Sequence, residues 1–175
     1  MARTLPTFSA LVVLLLLAAC DSADESPLVP GEFRATADGA VEGRYDGEAS
    51  FAEEATPFDT VLYVRLKTGE YQIPGRTYTT STGVFLGLSW AGEPGTYPLF
   101  AERVGVGNVT LPSDRTFGYP VTYFVESGAV TVTQASSERV EGTFEVVAVD
   151  RADAGGAAPS VRVQGEFVAV HAVEP

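Results

Sequence analysis

The chain has 175 residues and carries one cysteine, one histidine, one tryptophan and one methionine. With one cysteine, no intramolecular disulfide staples the fold. A structural zinc centre needs several Cys or His ligands, and the set of Cys20 and His171 is too small to supply one. Lys67 is the only lysine, and 11 basic residues face 23 acidic ones. Nucleic-acid binding relies on Lys and Arg to neutralise phosphates, so this balance excludes nucleic acid as a partner. Long apolar runs are lacking too. The longest, about Leu5 to Ala19, is broken by Pro6, Thr7 and Ser9 and falls short of the roughly 20 residues that cross a bilayer core. The chain has no Gly-x-Ser-x-Gly elbow, so a hydrolase nucleophile of that kind is excluded.

What the N-terminus does contain is ordered like an export signal. Arg3 gives a positive start, Phe8 to Leu17 is apolar, and Ala18 and Ala19 are small residues ahead of a cut. Residues 1–19 are therefore expected to form a signal helix that is removed. The stretch Leu17-Ala18-Ala19-Cys20 resembles the lipobox of bacterial lipoproteins. That resemblance implies cleavage between Ala19 and Cys20, a diacylglycerol thioether on Cys20 and acylation of the new amino group (a palmitate-type modification). Two or more acyl chains hold a protein stably where one is marginal, at about 0.8 kcal/mol per buried CH₂.

Removal of residues 1–19 leaves 156 residues, with 10 basic against 23 acidic side chains and a formal charge of −13. Such a charge favours solubility and repels other copies and anionic lipid headgroups. Residues 20–31 read as a lipidated Cys and an acidic, proline-bearing tether, about 35 Å long if extended. The acidic run after Cys20 resembles the surface-export signal of Bacteroidota lipoproteins, which places the protein at the outer membrane. By the enterobacterial sorting rule, Asp21 instead means retention at the inner membrane.

Residues 32–175 read as a single β domain. From Phe33 to Phe51 the odd positions carry no charge, while Arg34, Asp38, Glu42, Arg44, Asp46 and Glu48 occupy even ones. Successive side chains of a strand point to opposite faces, so one face is buried and the other wet. The unbroken phase reads as one long strand with a break near Asp38–Gly39 or Gly43–Gly47. Further strands are expected at Thr60–Lys67, Glu70–Ile73, Val84–Trp90, Gly95–Phe100, Phe117–Glu126, Ala129–Thr133, Arg139–Asp150 and Val161–Val173. Turn signals at Thr68-Gly69, Pro74-Gly75, Glu93-Pro94-Gly95, Pro112-Ser113-Asp114, Ser127-Gly128 and Ser136-Ser137 separate them. Short strands at regular spacing predict an all-β, antiparallel β-sandwich, with a β-barrel as the alternative.

Ser127-Gly128-x-Val130-x-Val132, Val140-x-Gly142-Thr143-Phe144 and Val163, Gly165 and Phe167 resemble a domain of unknown function. It occurs in small Bacteroidota and Rhodothermota lipoproteins, and Gly95-Thr96-Tyr97 resembles another of its elements. The resemblance implies a sandwich-like fold in the cell envelope and no assigned activity.

Residues able to carry chemistry are few. His171 shares the parity of Val161, Val163, Phe167 and Ala169, which places it at the edge of the core. Asp150-x-x-Asp153 and Glu53-Glu54 are the best oxygen pairs for calcium, but no full loop of alternating acids is present, and no metal is assigned. A pair of carboxylates serving as the acid and base of a glycoside hydrolase is the less favoured reading, because the acidic residues sit on the solvated parity. Tyr71, Tyr78, Trp90 and Tyr119 are the candidate ligand-contacting aromatics, although Trp90 also has core parity. Gln72–Thr82 and Asn108–Tyr119 are the segments where a binding surface is expected. The sequence thus points to a lipid-anchored cell-envelope module that binds a glycan or an envelope protein. It has no cofactor and is not an enzyme, and a small-ligand or carbohydrate carrier is the alternative.

Overall fold

A computed structural model describes residues 26–72, 79–100, 107–112, 119–152 and 158–172. The signal helix, Cys20, most of the tether, Tyr78 and Asp153 lie outside the described residues. Among the described residues nine strands form one sheet: β1 (Glu32–Gly39), β2 (Gly43–Ala55), β3 (Thr60–Gln72), β4 (Thr79–Ser89), β5 (Gly95–Phe100), β6 (Gly107–Leu111), β7 (Val121–Ala135), β8 (Arg139–Val149) and β9 (Ser160–His171).

The sheet closes on itself. β1 to β4 pair in chain order, β4 meets β6, and β6 meets β7. β7 then pairs with β8, β8 with β9, and β9 with β1 along eight register positions from Glu32↔Val168 to Gly39↔Val161. β5 and β6 lie along the same stretch of chain and pair with successive parts of β7, β5 with Ser127–Val132 and β6 with Val121–Phe124. Together they make one interrupted stave, so the architecture is an eight-staved, up-and-down antiparallel barrel. Among the described residues the one parallel contact is short, between Ser50–Phe51 and Val170–His171.

The barrel, the second of the two expected architectures, replaces the sandwich. The cause is physical. Period-2 alternation marks a sheet with one dry face and does not show whether its first and last strands meet. Close interstrand approach at glycines helps to bend this sheet round. Gly83 has φ +142°, and a Cβ there would overlap the Leu66 carbonyl oxygen on the neighbouring strand. A Cβ on Gly165 would likewise overlap the Arg34 carbonyl oxygen across the β1–β9 seam. Glycines at such positions let strands coil sharply enough to close.

Two expected turns are bulges. Thr68 is an extra residue between Lys67 and Gly69 against β4, and Glu126 is extra between Val125 and Ser127 against β8. A bulge reverses the inside-outside phase, which in sequence looks like a turn. Thus Tyr123 and Val125 are buried before the β7 bulge and Val130 and Val132 after it. The long strand from Phe33 to Phe51 is a hairpin whose register is Phe33↔Gly47, Ala35↔Tyr45 and Ala37↔Gly43. Odd residues face odd residues there, so the phase survives the turn. β6, which overlaps the start of the pattern-poor Asn108–Tyr119 segment, is a strand that alternation over five residues does not reveal.

The interior is filled. Leu62, Val64, Leu86, Val109, Val130, Val140, Val146 and Ala169 keep 0 % of their surface accessible, with Phe33, Phe51 and Phe167 at 1 %. A side chain lining a water-sized void would retain accessible area, and these do not. Fully burying each Val, Leu or Phe contributes about 1.5–3 kcal/mol. Arg65, Glu145, Arg162 and Glu166 are exposed on the outside. A membrane-spanning barrel has the opposite arrangement, with an apolar band outward and a polar lumen.

Candidate functional site

With the interior packed, the concave places lie on the outer wall and at the barrel ends. One is a groove of about 1270 Å³ across β2, β1, β9, β8 and β7. Backbone at Phe33, Ala35, Phe144 and Gly165 contributes to its floor, because their side chains turn inward or are absent. Its walls are side chains of the wet parity: Arg34, Asp46, Glu145, Gln164 and Glu166, with Thr131 and Thr143 between them. Arg34 sits opposite Asp46 on β2 and Glu166 on β9. Arg162 of β9 pairs with Glu145 of β8, which raises the guanidinium's pKa through that hydrogen bond and charge. Glu32, Asp46, Glu48, Glu145 and Glu166 outnumber Arg34 and Arg44, so the groove is acidic on balance.

The chain enters the barrel beside this groove. Val29 and Glu32 close a turn, the Glu32 N–H donating to the Val29 carbonyl at 3.2 Å. The segment before it lies against the outer wall, where Arg34 Nη1 donates to the Ser26 carbonyl at 2.8 Å. Leu28 lines the groove. The tether therefore leaves from the barrel end that also carries the 56–59, 90–94 and 136–138 turns.

Trp90 plugs that same end. It is 6 % exposed, its Nε1–H donates to Glu53 Oε1 at 3.1 Å, and its ring lies 5.1 Å from that of Tyr97. A smaller concavity of about 410 Å³ beside it is lined by Glu53, Thr60, Gly92 and Ser136. His171 stands exposed on the rim, edge-on to Phe51 at 5.3 Å. Glu53 thus serves the indole, and Glu54 is exposed beside it.

Tyr71 and Tyr119 come together at the opposite end, 6.3 Å apart and edge-to-face. The Thr68 bulge makes this meeting possible. Without the extra residue, Tyr71 would share the outward parity of Arg65 and Lys67; with it, Tyr71 pairs with Thr80 on the inward side of the register. Of the four candidate aromatics, the structure joins these two and sets Trp90 at the far end, while Tyr78 is outside the described residues. Asp150 is buried near the Tyr71–Tyr119 end, and its Oδ1 accepts the Ala152 N–H at 2.9 Å. Among the described residues no group of three or more His, Cys, Asp or Glu side chains is placed to hold a metal. Inside the barrel, burial first and Tyr123 second raise the Tyr45 phenol above its usual pKa.

A third concavity, about 420 Å³, lies on the outer wall of β3, β4 and β6 around Gly83. It takes Ser81 and Thr82 from the Gln72–Thr82 segment and Asn108 and Thr110 from the Asn108–Tyr119 segment, whereas Arg65, Gly83 and Phe85 beside them carry no such signal in the sequence. Lys67 borders it and donates to Glu70 Oε1 at 2.7 Å. That hydrogen bond lowers the Glu70 pKa and raises that of Lys67. No protein-family model, curated protein or solved structure matches the chain.

Proposed function

We propose that this chain is a lipid-anchored cell-envelope module whose packed barrel is a scaffold and whose outer wall does the binding. The single observation that carries this reading is the distribution of side chains: a filled apolar interior beneath a polar wall that bears the large concavities. A carrier enclosing its ligand needs interior volume, and the inward positions at 0 % exposure leave little of it. The ligand is then a surface-bound glycan or envelope protein, and the reading includes no reaction.

The anchor is Cys20, acylated after cleavage behind Ala19, in the outer membrane. Six residue-to-residue steps lead from Cys20 to Ser26, a reach of at most about 20 Å. The barrel is thereby held close to the bilayer, and its acidic wall repels anionic headgroups. Fractionation of cells expressing the full chain tests this. Wild type is expected in the membrane fraction and to shift in mass by the added lipid; Cys20→Ala is expected to lose both. A wild-type protein with an unmodified thiol and residues 1–19 still attached overturns the anchor.

A further inference from the structure

The concavity around Gly83 is built from two cross-strand rows. Register places Lys67, Gly83 and Thr110 side by side on β3, β4 and β6. The next row is Arg65, Phe85 and Asn108, and it continues to Phe124 on β7. All are on the outward parity, since Leu66, Val84, Val109 and Tyr123 between them are buried. The depression exists because the middle of the first row has no side chain. It cannot acquire one, as a Cβ on Gly83 would overlap the Leu66 carbonyl oxygen.

The second row has an unusual composition for this acidic surface: guanidinium, ring, amide, ring. Arg65 is exposed, and neither it nor the Asn108 amide hydrogen-bonds or ion-pairs with any described residue. Phe85 stacks on Tyr63 at 5.5 Å and 15°, which fixes its ring on the wall. Phe124 is 43 % exposed, and the Arg151 guanidinium lies over it at 5.3 Å. The row therefore ends in an arginine on each side. Adjacent strands lie about 4.8 Å apart, so four strands span roughly 14 Å.

Each element matches one part of a sugar acid. A guanidinium presents a planar fork that suits a carboxylate. Aromatic rings offer an apolar surface to the C–H face of a pyranose, and an unpaired amide offers a donor and an acceptor to hydroxyls. The length of the row suits two or three linked rings, with a cation near each end. We propose that the Arg65–Phe85–Asn108–Phe124 row, with the Gly83 depression beside it, binds an acidic oligosaccharide, a short run of pyranose rings carrying carboxylates. This names the ligand class for the binding module argued above, and it holds whether or not Cys20 is acylated.

The test uses the full chain purified in neutral detergent from whole lysates of the cells that express it. Saturation-transfer NMR and calorimetry compare trigalacturonate, neutral maltotriose and inorganic phosphate. Trigalacturonate is expected to bind at least tenfold more tightly than maltotriose, and phosphate to displace it only weakly. Arg65→Gln and Phe124→Leu, both on the outer wall, are each expected to weaken binding at least fivefold with the melting temperature unchanged. Equal binding of charged and neutral sugars, displacement by phosphate at equal concentration, or indifference to Arg65→Gln overturns the proposal. The wild-type comparison stands even if a variant fails to fold. Membrane fractionation of the same cells separates the two readings. Loss of sugar binding with retention that depends on Cys20 removes only this site, whereas sugar binding without such retention removes only the anchor.

Discussion

Replacing Leu86 with alanine tests whether the barrel is packed or hollow. Leu86 sits on β4 between Val64 of β3 and Gly107 of β6, with 0 % of its surface accessible. The substitution removes three carbons, worth about 2.4 kcal/mol at about 0.8 kcal/mol each. A rigid wall cannot collapse into the space. If roughly 60 Å³ stays empty, a cavity term of about 24 cal/mol per Å³ adds about 1.4 kcal/mol. The expected loss is therefore about 4 kcal/mol, a large part of the 5–15 kcal/mol that holds an ordinary domain together. Urea unfolding of a chain starting at residue 21, followed by circular dichroism, measures it as a fall in midpoint at constant slope. Thr143→Ala, on the exposed face of β8, is the control and should stay within about 0.5 kcal/mol of wild type. A Leu86→Ala loss below about 1.5 kcal/mol would refute the reasoning, because a side chain facing an open cavity loses little when it is shortened.

Two other perturbations probe the wall and the core. Burial raises the Tyr45 phenol above its ordinary 10.0. Below pH 10 the folded and unfolded states are both protonated, so the shift leaves stability unchanged there. Above it the unfolded chain ionises first, and stability falls as pH rises towards the folded value. Tyr45→Phe should flatten the decline in melting temperature between pH 9 and pH 11; an unchanged slope would assign the decline to other groups. Gly83→Ala should destabilise by at least about 2 kcal/mol, since it adds a Cβ at a φ that L side chains rarely adopt and pushes the β3–β4 seam apart. Thermal unfolding checks it, and a variant as stable as wild type would mean that the seam has slack.

The sequence shows the sheet far more clearly than its closure. Alternation from Phe33 to Phe51 identifies the dry face correctly, and Gly95–Phe100 falls where it is expected. Alternation cannot distinguish a strand that continues from a hairpin whose register pairs odd residues with odd, so the break expected near Asp38–Gly39 falls where β1 ends, but its being a hairpin turn is hidden. It also cannot distinguish a bulge from a turn, because both reset the phase; Thr68 and Glu126 each divide one strand into two apparent ones. The candidate site suffers most from this. Tyr71 and Tyr119 meet because of a bulge, and the Arg65–Phe85–Asn108–Phe124 row exists because four strands come into one register. Neither relation is written in local sequence. Trp90, by contrast, shows its core parity directly with Val84, Leu86 and Leu88.

Cross-strand contacts at the β1–β9 seam test the closed barrel most directly. In an NMR spectrum of the labelled chain, protons of Ala35 and Gly165 and of Phe33 and Phe167 should show cross-strand Overhauser effects. Contacts between Thr131 and Thr143 should appear in the same sample, with slow amide exchange along both seams. A silent β1–β9 seam whose amides exchange as fast as those of an open edge would contradict the barrel and the packed interior that depends on it.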